Sequence, residues 1–182
     1  MSSEVETILE RDHAELDRLL ELTFQAIGSN DCRQTYLSLD IFWARLAMHI
    51  RAEHLRLFPA VRQIAGRDAK LSGDAALQNV IGLLDQLRHD HDFFMHELAR
   101  AIKCLRLTFY FGNEPETLKV VDDLVGQIKR RLIIHNAIEE GRIYTLVTER
   151  YLTSEEIAEL AISIKKELSN LPPRFRTTAA SS

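Results

Sequence analysis

The chain has 182 residues, long enough for one domain with a substantial core, and its 46% hydrophobic and 27% charged residues are the proportions of an ordinary soluble globular protein. A net charge of -4 gives no electrostatic reason to expect nucleic acid, and the basic run Lys129-Arg130-Arg131 reads as a solvated helix face. No apolar segment reaches the roughly 18 residues that span a membrane, and Met1-Ser2-Ser3-Glu4 lacks the regions of a signal peptide, so a cytoplasmic chain without membrane or nucleic-acid partners is expected.

The few glycines and prolines cluster at plausible loops. Ser3 with Glu6 three residues later is a capping box, so a first helix starts there and runs to Ile27, closed by Gly28-Ser29-Asn30-Asp31. A second helix is predicted over residues 32–64, with Pro59 kinking its last part because proline has no N–H to donate. After a connection at residues 66–73, a third helix runs to about Tyr110 and ends at Gly112. Asn113, Pro115 and Glu116 are start signals for a fourth helix reaching about Thr148. Thr153 and Glu156 form a second capping box, opening a short helix that ends near Ser169. No strand-like alternation competes. The expected fold is all-α: an up-down-up-down four-helix bundle over residues 1–150, an accessory helix over 151–170 and an unstructured tail over 171–182.

Each long helix carries an apolar stripe with ionisable groups inside it. His13 interrupts Leu9, Leu16, Leu20 and Phe24. His49 and Glu53 share a face with Phe42, Leu46, Ile50 and Leu57; His91 lies in the row of Leu84, Leu87, Phe94, Leu98 and Leu105. His135 and Glu139 join Val121, Leu124, Ile128, Leu132 and Leu146. Within helices two and four the histidine precedes the glutamate by four residues, so both project from one face about one turn apart and can share a metal. In a bundle the heights can be compared. His13 is about 14 residues before the end of its helix and His49 about 17 after the start of the next. For His91 and His135 the figures are about 19 and 20. Four histidines and two glutamates therefore fall near one layer and face inward.

A lone core histidine is more often a packing residue than a ligand, but six ionisable groups at one height have no place in an apolar core without a partner. His89 and His96 share a face with Asp85, Asp92 and Arg100 and read as solvated, although they compete with His91, which its apolar neighbours favour. His54, rotated by about 100° from Glu53, reads as outer support or surface. Cys32 and Cys104 show no metal spacing and read as reduced thiols. Imidazole and carboxylate without thiolate suit iron, manganese or zinc. Four imidazoles and two bridging carboxylates divide into two metals, and a solvent-derived oxo or hydroxo bridge leaves each one open position. That arrangement fits a di-iron centre for oxygen, nitric oxide or peroxide. Tyr144 reads as a core tyrosine satisfying its own hydroxyl, with approach to the open position as the other reading.

The ordered set is His13; His49 and Glu53 running into Leu57-Phe58-Pro59; Asp90-His91; and His135, Glu139 and Glu140. It resembles the haemerythrin-like (HHE cation-binding) family over about residues 5–150. The resemblance implies a four-helix bundle and a di-iron centre bridged by Glu53 and Glu139. Oxygen-carrying members have a further histidine four residues from the one in helix three. Here Met95 and Leu87 stand at those places, which makes the set similar to that of bacterial iron-centre repair proteins. The expected protein is a sensor, scavenger or iron-handling protein, with an iron-dependent interaction or signalling module as the alternative. The sequence does not decide catalytic turnover.

Overall fold

The structure, a computed structural model, describes residues 3–67, 79–112 and 114–176. Those residues are helical with no strand among them. Helix α1 covers Glu4–Gly28, and Ser3 caps it as expected: its hydroxyl accepts from the Glu6 N–H while the Glu6 carboxylate accepts from the Ser3 N–H. Helix α2, Cys32–Ala52, is capped by the Asp31 carboxylate. It passes without a break through a π-helical turn, Glu53–Leu57, into α3, Phe58–Arg67. Helix α4 is Val80–Phe111 and α5 is Glu114–Ile138. A second π-helical turn, Glu139–Ile143, and a 3₁₀ turn, Tyr144–Leu146, follow α5. Helix α6, Ser154–Leu168, has the expected Thr153–Glu156 capping box. The expected start signal at Asn113, and most of the connection before α4, lie outside the described residues.

Two expectations need correction. Helices two and four are not regular α-helix throughout, because each widens by one residue directly after its inward glutamate. In an α-helix five residues turn the chain by about 500°, so a side chain five places on points about 140° away. The π-turn returns it to the glutamate's side. The Phe58 N–H donates to the Glu53 carbonyl, the Tyr144 N–H to that of Glu139, and both rings are buried. Pro59 follows directly after Phe58 and brings no N–H to the helical ladder. The tail expected to be unstructured begins with a helical turn, α7, Pro173–Arg176, held by Arg174 on Asp40. The remainder, residues 177–182, lies outside the described residues.

Helix α1 packs on α2 and α4 on α5, and the two pairs meet through α2 with α4 and α1 with α5. The apolar interior forms two clusters. One holds Leu16, Leu20, Phe42, Leu46, Phe94, Leu98, Leu124 and Ile128. The other holds Val5, Leu9, Leu57, Phe58, Leu84, Leu87, Ile143 and Tyr144, closed by Ala161, Ile164 and Leu168 of α6. Helix α6 lies against α1 and α2, and its buried Glu167 accepts hydrogen bonds from Arg51 and Arg56. Between the clusters, along each helix, fall the ionisable groups. No helix among the described residues is long and apolar enough to cross a membrane.

Candidate metal centre

All six side chains singled out by the helical stripes meet. His13, His49, Glu53 and Glu139 form one group, and Glu53, His91, His135 and Glu139 a second; within each the facing donor atoms lie within 4.8 Å of one another. The two groups share both glutamates, each turning one oxygen to either side. None of the six is more than 4% exposed.

The spacing within the groups is that of a coordination shell. In the first, His13 Nε2 is 3.1 Å from His49 Nε2 and 3.3 Å from Glu139 Oε2, and His49 Nε2 is 3.4 Å from Glu53 Oε1. In the second, His91 Nε2 is 3.0 Å from His135 Nε2 and 3.3 Å from Glu53 Oε2, and His135 Nε2 is 3.1 Å from Glu139 Oε1. Donors at right angles about one ion with bonds of about 2.1 Å stand about 3 Å apart.

The outer partners turn the rings the right way. His49 Nδ1 is 3.0 Å from Asp12 Oδ2, and His135 Nδ1 is 3.2 Å from Asp90 Oδ2. Arg45 and Arg131 donate to the other oxygen of those aspartates. His13 Nδ1 meets Glu140 at 2.8 Å, and His91 Nδ1 meets His54 Nε2 at 2.8 Å. With every Nδ1 engaged outward, each Nε2 points into the cage, and in each group two such nitrogens face each other. Only a cation between them, a metal or a proton, makes that arrangement favourable. Among the described residues, buried Glu53 Oε2 and buried Glu139 Oε1 accept no hydrogen bond, and both face the second group, that of His91 and His135. The donor set, imidazoles and carboxylates without thiolate, fits a hard to borderline divalent or trivalent ion.

The electrostatics show what the cage does with protons alone. Burial would lower the His49 pKa, but Glu53 and Asp12 outweigh it and hold it well above the usual value. Burial likewise opposes protonation of His135, yet Glu139 and Asp90 raise it to about 9. Glu53 is held well below the ordinary carboxylate range by His49 and His91 despite its burial. Asp12 and Asp90 are lowered against their burial, Asp12 by His49 and Arg45, Asp90 by His135 and Arg131. His54 is lowered by burial, by His91 and by Arg88.

No family model matches this chain, and neither a curated protein nor a solved structure does.

The residues expected to be solvated behave so: His89 and His96 are exposed, and His89 Nδ1 meets the Asp85 carbonyl. Cys32 and Cys104 are free thiols away from the cage. His54 stands behind His91 rather than at the surface. Four supports went unread in the sequence: Asp12, Arg45, Arg131 and the side chain of Glu140. A signal for the first was present, since the dipeptide Asp-His occurs at residues 12–13 as well as 90–91. Tyr144 is the expected core tyrosine, fully buried, and the partners of its hydroxyl are cage groups: 3.1 Å from His13 Nε2, 3.0 Å from Glu53 Oε1 and 3.2 Å from Glu139 Oε2.

Proposed function

We propose that this chain is a haemerythrin-like non-haem di-iron protein, an up-down-up-down four-helix bundle that binds or reacts with oxygen, nitric oxide or peroxide as a sensor, scavenger or iron-handling protein. The observation that carries the reading is the pair of buried four-residue groups sharing Glu53 and Glu139. Two carboxylates that each turn one oxygen to either side are built to bridge two ions, and two imidazoles remain for each. Iron in such a centre supplies redox chemistry and an affinity for small ligands.

The chain's own contribution is orientation and exclusion. Asp12, Asp90, Glu140 and His54 hold the four imidazoles with Nε2 inward, which fixes the donor atoms and raises their basicity. The apolar clusters on either side keep bulk water from the layer. A second reading, an iron-dependent interaction module without turnover, is favoured by the complete burial of the six groups, which ties their occupancy to the packing of four helices.

The test is metal content with an optical spectrum on protein purified in air. About two irons per chain, with oxo-bridge charge-transfer bands that change when peroxide or nitric oxide is added, support the first reading. Two irons whose spectrum is indifferent to all three ligands favour the second, and no iron overturns both.

A further inference from the structure

The two halves of the cage match residue for residue. Asp12-His13 on α1 corresponds to Asp90-His91 on α4. Arg45 and His49 on α2 correspond to Arg131 and His135 on α5, and Glu53 and Glu139 each open the π-turn that follows those helices. The match breaks at two places beside the metals. Tyr144 stands where the other half has Phe58, and Glu140 where it has His54.

We propose that the hydroxyl oxygen of Tyr144 is a fifth protein ligand of the metal held by His13 and His49, and that Phe58 leaves the metal held by His91 and His135 with the open coordination place at which an exogenous small ligand binds. This assignment rests on the two-metal reading above.

Four observations carry it. Tyr144 Oη lies 3.0–3.2 Å from His13 Nε2, Glu53 Oε1 and Glu139 Oε2, the spacing of neighbouring donors about one ion. A phenol has one proton and the carboxylate oxygens of Glu53 and Glu139 both accept, so at least one of these contacts is between lone pairs. A cation among them relieves it, the phenol proton leaving to solvent as the ion enters. In the other half, the Phe58 ring lies stacked on His91, centroids 5.9 Å apart and planes 7° apart, and offers only carbon. The two glutamate oxygens that accept no hydrogen bond, Glu53 Oε2 and Glu139 Oε1, are both on that side. The outer partners separate the halves in the same sense. His13 is backed by the Glu140 carboxylate and His91 by the His54 imidazole, so the His13 ring is the stronger donor.

The experiment uses the full chain loaded with ferrous iron and oxidised in air. Its readouts are iron per chain, the visible and resonance Raman spectra, Mössbauer spectra and titration with azide as the probe ligand. The expected protein carries two irons, a tyrosinate-to-iron charge-transfer band and two unequal Mössbauer doublets. Tyr144→Phe keeps both irons, loses the band and brings the doublets together. Phe58→Tyr places an oxygen at the matching position and weakens azide binding at least tenfold. Two irons in the wild-type chain without the tyrosinate band overturn the ligand assignment, as does a band that survives Tyr144→Phe. Unchanged azide affinity in an iron-loaded Phe58→Tyr overturns the placement of the open position. A chain that takes up no iron overturns the two-metal reading itself. The wild-type spectrum decides the ligand assignment even if a variant fails to fold.

Discussion

Phe58 and Tyr144 occupy equivalent places, each five residues beyond a buried glutamate and each donating its N–H to that glutamate's carbonyl across a π-turn. One ring is pressed on His91 and the other points a hydroxyl at His13. An extra residue per turn has the same effect in both helices: it lays an aromatic ring over the carboxylate layer from the side of α6. π-Turns of this kind recur at functional sites.

Metal removal is expected to be destabilising. A metal-free cage keeps four imidazoles and two carboxylates buried with only protons to balance them. An ion held at about 1,000 times its dissociation constant contributes about 4 kcal/mol, which in a chain of this size moves the melting temperature by about 8–16 °C. Calorimetry before and after chelation measures this. An unchanged melting temperature would rule out a metal in the core.

His49→Ala and Glu139→Ala each remove a ligand and strand its neighbours, and both are expected to abolish binding at one or both positions. Glu139 serves both groups, so its loss is the more severe. On the di-iron reading proposed above, iron per chain should fall to about one or below for His49→Ala and towards zero for Glu139→Ala, measured by elemental analysis alongside helicity by circular dichroism.

Asp12→Asn and Asp90→Asn preserve shape but remove the negative charge behind His49 and His135. Loss of such support typically weakens a metal site by about 10–100-fold. Competition with a chelator of known strength should show that drop in both variants. Equal affinity to wild type would mean that the aspartates only pack.

Metal uptake should be coupled to proton release. His135 in the metal-free cage titrates at about 9, above its ordinary value, so below that pH a proton must leave before the Nε2 lone pair can bind metal. Apparent affinity is therefore expected to rise with pH up to about 9. The sign for stability is opposite. The raised pKa stabilises the metal-free fold fully below the ordinary histidine value of about 6.5, and that contribution is lost as pH rises through about 9. Calorimetric titration in buffers of different ionisation enthalpy reads the protons released, and melts of chelated protein across pH read the stability.

Glu167→Ala should loosen α6 against the α2 region without touching the cage. The carboxylate accepts hydrogen bonds from Arg51 and Arg56, both of which remain partly solvated, so the expected loss is about 1 kcal/mol, or a few degrees in melting temperature. Iron content should be unchanged. A variant that also loses iron would show that α6 holds the π-turn after Glu53 in place.

The sequence by itself determined that the chain is helical and which side chains meet, except that the structure decided for His91 over the exposed His89 and His96. Helical periodicity and a four-residue spacing are local properties, and a stripe that is apolar except at His13, His49, Glu53, His91, His135 and Glu139 reports its own burial. Capping at Ser3 and Thr153 was legible for the same reason. The tertiary structure alone decided what surrounds the cage. Glu53 and Glu139 begin π-turns, and a one-residue change of helical register cannot be seen in a pattern that assumes 3.6 residues per turn. That change brings Tyr144 and Phe58 over the cage. The contacts of Asp12 with His49 and of Glu140 with His13 join residues 37 and 127 positions apart, so they depend on how neighbouring helices are rotated against each other. No local spacing encodes that rotation.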